Sequence, residues 1–94
     1  MIIIEVKFMS IARLRAGVSA IKFASPEGEK LRDVLKAIVG RYRIEDIILN
    51  ETGEVRAWAR VLVNGRSHDF VGGLDAQLRD GDSVALIYPY ADNF

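Results

Sequence analysis

The run Gly73-Leu74-Asp75-Ala76-Gln77-Leu78-Arg79-Asp80-Gly81-Asp82-Ser83-Val84-Ala85-Leu86-Ile87-Tyr88-Pro89 carries the most topological information in the chain. Gly72-Gly73 turns the chain just before it. Leu74 to Leu78 reads as a short helical turn or an irregular piece. Asp80-Gly81-Asp82 is a tight turn, because glycine takes up positive φ freely and short carboxylates bond to nearby backbone. Ser83 to Tyr88 is then the last strand. A simple hairpin cannot pair this strand with everything before it, so its partner has to be sought near the start of the chain.

That start alternates. Ile2, Ile4, Val6 and Phe8 interleave with Ile3, Glu5 and Lys7, which is the period of a strand. Ala20 to Ala24 alternates as well, with Ile21 and Phe23 on one face. The two strands predict a first hairpin, with Gly17 in the turn and Arg13 to Ser19 as an exposed loop. Ser25-Pro26-Glu27-Gly28 breaks the second strand. Leu31, Val34, Leu35, Ile38, Val39 and Tyr42 recur at helical spacing and predict an amphipathic helix from about Glu29 to Tyr42. Glu29 in its first turn, and Arg41 and Arg43 near its last, suit the helix dipole.

Ile47, Ile48 and Leu49 suggest a short edge strand, and Asn50 to Gly53 a turn. From Val55 to Val63 the alternation is long, with Val55, Ala57, Ala59, Val61 and Val63 on one face and Arg56, Trp58, Arg60 and Leu62 on the other. Asn64-Gly65 is the preferred pair for a two-residue type I′ hairpin. Arg66 to Phe70 is the expected return strand. Two strands, one helix and two or three further strands form a compact α+β domain when the helix covers one face of a mixed sheet of four or five strands. The ubiquitin-like β-grasp has this order, and it places the last strand beside the first and parallel to it. Ile2, Ile4, Val6, Ile21, Phe23, Leu31, Val34, Leu35, Ile38, Val61, Val63, Val84 and Leu86 are the expected core.

The chain has 94 residues, half of them hydrophobic, and reads as a single domain over 1–94. Thirteen acidic side chains balance thirteen basic ones. No large single-sign field follows, which argues against nonspecific binding to nucleic acid or to an anionic membrane. There is no cysteine, so disulfides, thiolate metal sites and a cysteine nucleophile are excluded. Met1 to Phe8 carries Glu5 and Lys7 among its apolar residues and matches neither a signal peptide nor a membrane span. A cytoplasmic protein is expected.

Three features carry a family likeness. One is a first strand opening at Met1 and followed by Ala12-Arg13-Leu14. Another is Val61-Leu62-Val63-Asn64-Gly65-Arg66. The third is the run from Gly73 to Pro89, with its leucine, Asp-Gly-Asp turn and valine leading into a terminal strand and a proline. In this order and over essentially the whole chain, they resemble the MoaD sulfur carriers of molybdopterin synthase, relatives of ThiS. The resemblance implies a β-grasp fold and a carrier or binding subunit with no cofactor of its own. It implies two partners, an adenylating activating enzyme and a MoaE-like large synthase subunit, and a place in molybdenum or tungsten cofactor synthesis. In that family a terminal Gly-Gly carboxylate is adenylated and converted to a thiocarboxylate. Glycine suits the role because a tail entering a narrow channel has no room for side chains.

Pro89 matches the family's proline and Ala91 the small residue that often precedes its diglycine. Asp92 and Asn93 stand where the two glycines would be, and Phe94 follows them. Trp58, Pro89, Tyr90, Ala91, Asp92, Asn93 and Phe94 are the candidate partner-binding residues. Residues from Tyr90 onward have no expected pairing partner and are expected to be mobile in the free protein. Gly72-Gly73 is read as a turn, since a cut there would remove the last strand. Two alternatives stand beside the carrier: a β-grasp interaction or regulatory module without carrier chemistry, and a protein modifier, which the substituted diglycine disfavours.

The remaining candidates have plain readings. His68 is the only histidine and lacks partners for a metal site, so it is expected as a solvated strand residue. Ser10, Ser19, Ser25, Ser67 and Ser83 lack a histidine–acid pairing. Asp80 and Asp82 flank one glycine without further oxygen ligands for calcium. Trp58 lies on the polar side of its strand, either packed by the stems of Arg56 and Arg60 or offered to a partner.

Overall fold

The protein is described by a computed structural model covering residues 1–90. The elements in order are β1 (Ile2–Ser10), α1 (Ile11–Ala16), β2 (Ala20–Ser25), α2 (Leu31–Arg41), α3 (Glu45–Ile48), β3 (Arg60–Val63), β4 (Arg66–Ser67) and β5 (Ser83–Tyr88). Two 3-10 turns, His68–Val71 and Gly73–Asp75, separate β4 from β5. The strands form one sheet in the order β2-β1-β5-β3-β4. β5 lies parallel to β1, with Val6 beside Val84 and Phe8 beside Leu86, and antiparallel to β3. This is the β-grasp arrangement expected from the order of elements. No helix among the described residues is long and apolar enough to cross a membrane.

Strand alternation decides the two faces of the sheet. Ile2, Ile4, Val6 and Phe8 are buried along β1, and Val61, Val63, Val84 and Leu86 continue that face across β3 and β5. The residues between them, Ile3, Glu5, Lys7 and Met9, are exposed on the open face. α2 covers the buried face with Leu31, Val34, Leu35, Ile38 and Val39. Ile44, Ile47, Ile48 and Leu49 close one end of this core, and Phe8 meets the Tyr42 ring at 5.1 Å between centroids. Ile21 and Phe23 point the same way but are only half-buried, because β2 is an edge strand.

Four local expectations are corrected. The connection between β1 and β2 carries a helical turn, α1, which buries Ala12, so it is not simply an exposed loop. Ile47 and Ile48 belong to α3 and not to an edge strand; a run of three apolar residues fits one buried helical turn as well as a strand. The long strand from Val55 shrinks to Arg60–Val63, since residues 57–58 form a turn. The return strand stops after Arg66–Ser67, and the chain winds into a 3-10 turn. The hairpin between them is as expected: Asn64 and Gly65 both take positive φ, at 52° and 83°, as a type I′ turn requires.

The Asp80-Gly81-Asp82 turn ties β1, β5 and the β3–β4 hairpin together at one end of the sheet. The Asp80 carboxylate accepts the Ile3 N–H at 2.7 Å, and the Gly81 N–H donates to the Ile3 carbonyl at 2.9 Å. Asp82 accepts the Arg79 N–H at 2.8 Å and the Asn64 side-chain amide at 3.0 Å. Asn64 in turn accepts the Ser83 N–H at 2.9 Å. At the other end, Arg15 of α1 forks onto Asp46 of α3 at 2.8 and 3.3 Å and also donates to the Arg43 carbonyl at 2.9 Å. The hydrogen bond and charge of Arg15 hold the Asp46 carboxyl below its usual range.

Three measurements test this account. Leu35→Ala empties a fully buried position, and its melting transition should shift by the equivalent of about 2–5 kcal/mol. Asp82→Ala leaves the Arg79 N–H and the Asn64 amide without their acceptor and should cost about 1–3 kcal/mol in denaturant titrations. Asp46 has a depressed folded-state pKa, so its contribution is complete above the unfolded value near ~4 and is lost as pH falls through the folded value. The melting temperatures of the parent and Arg15→Met should therefore differ at neutral pH and converge in strong acid.

Candidate functional site

The candidate site is built where β5 ends. β5 lies between β1 and β3, so Tyr88 emerges from the middle of the sheet, opposite Ser10 at the end of β1. Pro89 is exposed. One residue later the Tyr90 N–H donates to the Trp58 carbonyl at 2.7 Å. The Arg60 guanidinium stands over the Tyr90 ring, 5.0 Å from its centroid. That guanidinium also donates to the carbonyls of Ala57, at 3.3 Å, and Ala59, at 3.0 Å.

The turn at 57–59 is therefore the receiving structure. Ala59 is fully buried and its N–H donates to the Arg56 carbonyl at 3.0 Å, which anchors the turn to the domain. The expected long strand would have turned these carbonyls into a ladder. Breaking it leaves three consecutive carbonyls that hold Tyr90 and Arg60.

Trp58 is 65% exposed on this turn, so most of its ring faces solvent and is not packed into the domain. Beside it a shallow cleft of about 390 Å³ is lined by Asp46, Asn50, Val55, Arg56, Ala57, Trp58 and Tyr88. The open face of the sheet runs up to the same corner. Met9, Ile87 and Arg60 lie side by side across β1, β5 and β3, and the next row back holds Lys7, Ala85 and Leu62. The face is thus apolar and small-residued at its centre, with charge at its margin.

The structure brings together Trp58, Pro89 and Tyr90 from the expected set. Tyr90 departs from the expectation of a mobile, unpaired residue, because the Trp58 carbonyl and Arg60 hold it. The other expected site residues, Ala91, Asp92, Asn93 and Phe94, lie outside the described residues. Arg60 is the residue that sequence reasoning missed as a functional candidate. Its position two residues from Trp58 was visible, but its contact with the tail depends on the turn.

His68 departs from its expected solvated place. Its side chain is only 12% exposed, its Nε2 lies 3.2 Å from the Asp69 carboxylate, and its Nδ1 is buried without a partner. The 3-10 turn that replaces the outer part of the return strand tucks the ring inward. Asp80 and Asp82 spend their carboxylates on backbone N–H groups and Asn64, so their role in this fold is to build the turn.

Comparisons with known proteins agree with this geometry. Small archaeal modifier protein 3 of Haloferax volcanii is 31% identical over 88 residues, spanning 94% of this chain and 96% of the relative. A putative molybdopterin converting factor, subunit 1, from Pyrococcus furiosus superposes with a TM-score of 0.76 at 27% identity, covering 96% of this chain and 100% of that one. Urm1 from Trypanosoma brucei superposes with a TM-score of 0.79 at 26% identity, covering 97% and 95%. The family resemblance read from the Asp-Gly-Asp turn and terminal strand holds: the ThiS family model matches residues 6–91, and the chain belongs to the ThiS family of ubiquitin-like carrier and modifier domains.

Proposed function

We propose that this protein acts by delivering its C-terminal segment to other proteins: first to an adenylating enzyme, then to an acceptor. It is a carrier or modifier and not an enzyme by itself, and it works in the cytoplasm. One observation carries the reading. The last strand is central to the sheet, and its exit is held at Tyr90 on the corner where the open face and the exposed Trp58 meet. A rigid body thus presents a chain end beside a surface suited to docking, with Trp58 as an aromatic anchor of the kind that dominates protein interfaces.

The chemistry asked of the segment is simple. A carboxylate oxygen attacks the α-phosphorus of ATP, pyrophosphate leaves, and an acyl adenylate forms. Sulfide then displaces AMP to give a thiocarboxylate, or an amine of another protein is acylated to give an amide. No side chain of this protein has to act as acid or base.

Two finer readings share that first step. In one the acceptor is a lysine of another protein; the 31% identity to a protein named as a modifier supports it, against the weight that Asp92 and Asn93 carry in sequence reasoning. In the other the acceptor is a MoaE-like large synthase subunit and the product is the molybdenum or tungsten cofactor; the likeness to the Pyrococcus protein supports that one. Asp92 and Asn93 bear on both, because their bulk, and the charge of Asp92, oppose entry into a narrow adenylation channel. A β-grasp interaction module without carrier chemistry is what these residues would favour if activation fails altogether.

The test is intact mass after incubation with an adenylating enzyme of this family, ATP and sulfide. The expected product shows the gain of an oxygen-for-sulfur exchange. It should form slowly on the native chain and faster on a variant carrying Asp92→Gly and Asn93→Gly with Phe94 deleted. If neither chain is activated, the carrier reading is lost and the interaction module stands. Adding a large synthase subunit or a cell extract then separates the two acceptors, through release of sulfur or through new amide-linked species.

A further inference from the structure

We infer that Arg60 and Tyr90 form a clamp that fixes where the C-terminal segment leaves the domain, making both of them positioning residues for its delivery. The inference deepens the proposed function and rests on it for its consequence, though not for its geometry. The clamp has two parts that share one anchor. The Trp58 carbonyl takes the Tyr90 N–H at 2.7 Å, and the Arg60 guanidinium covers the Tyr90 ring at 5.0 Å. Arg60 cannot swing freely, since Ala57 and Ala59 carbonyls on either side of Trp58 hold it at 3.3 and 3.0 Å. Guanidinium suits the place: its planar fork reaches two carbonyls at its edge while its face stays free for an aromatic ring. Lysine could offer the charge but not the fork.

The consequence concerns reach. A segment that starts at a fixed Tyr90 explores conformations only beyond that residue. Released back to Tyr88, the end of β5, it gains two further mobile residues, Pro89 and Tyr90. Each mobile residue that must be ordered on docking reduces the fraction of productive conformations by roughly tenfold, less for proline. The clamp therefore acts on encounter and binding with the activating enzyme, and leaves the adenylation step itself alone.

Arg60→Gln and Tyr90→Leu each remove one side of the contact. In hydrogen exchange of the full chain, the Tyr90 amide should exchange roughly tenfold faster in either variant, and the double variant should add little, because the two residues act as one unit. Melting temperature should stay near that of the parent, since the tail lies outside the buried core. In pyrophosphate-exchange kinetics with the adenylating enzyme, KM should rise roughly tenfold with kcat unchanged. Unchanged exchange of the Tyr90 amide in both single variants would overturn the clamp whatever the kinetics show. Faster exchange with an unchanged KM would overturn its positioning role. A parent chain that is never activated would sink the proposed function instead, and the exchange data would still judge the clamp.

Discussion

The parallel pairing of β5 with β1 is the constraint from which the rest of the structure follows. A parallel pair cannot be closed by a hairpin, so the chain between the two strands must cross over, and here the crossover holds α2, α3 and the β3–β4 hairpin. Once β5 lies in the middle of the sheet, its alternate residues Val84 and Leu86 are sealed between the sheet and α2, and neither edge of the strand is free. Parallel ladders are slightly weaker per residue than antiparallel ones. The turn ahead of β5 reinforces this one. Asp80 and Gly81 bond to both the N–H and the C=O of Ile3, and Asp82 reaches Asn64 on the far hairpin. A few short polar side chains thereby set the register of three strands, which matters because a slip of one residue would invert every face.

That frame also explains why the open face is left uncovered. The fold has one helix long enough to shield a sheet, and it lies on the face of Val6, Val61 and Leu86. The opposite face keeps Ala85 and Leu62 at its centre, with Met9 and Ile87 toward the tail. Small side chains in the middle let another backbone approach closely. Larger apolar ones near the exit of β5 put the most burial where a docked partner would also meet the C-terminal segment.

Much of the fold was legible in the sequence, because it rests on periodicity and on turns with strict backbone demands. Ile2 to Phe8 and Leu31 to Val39 have one strong period each, and Asn64-Gly65 and Gly81 sit where positive φ is needed. The misreadings fall where two signals agree for different reasons. Val55, Ala57 and Ala59 alternate with Arg56 and Trp58 as a strand would, yet alanine is a weak strand residue and a turn costs it little. The chain there leaves the hydrogen-bonded ladder to form the tail's receiving turn. His68 was misplaced for a related reason: with β4 ending at Ser67, nothing in the sequence marked that the next residues would wind inward and take the ring with them. The site itself was half legible. Trp58, Pro89 and Tyr90 stood out by type and position, whereas Arg60 gained its part only from three-dimensional geometry.

The arrangement separates stability from delivery. The buried side chains and the Asp-Gly-Asp turn lie in the sheet, α2 and the end remote from Tyr88, while Trp58, Arg60 and Tyr90 sit on a turn and a strand exit at the margin. A carrier needs this division, because its reacting end has to fit several partners in succession and cannot also be packed into its own core. The cost is that an end too loosely held would lose most encounters to unproductive conformations. Holding the chain at its last ordered residue resolves the conflict: the contacts that fix Tyr90 use backbone carbonyls already exposed by the turn, so they restrict the tail without drawing any later residue into the domain.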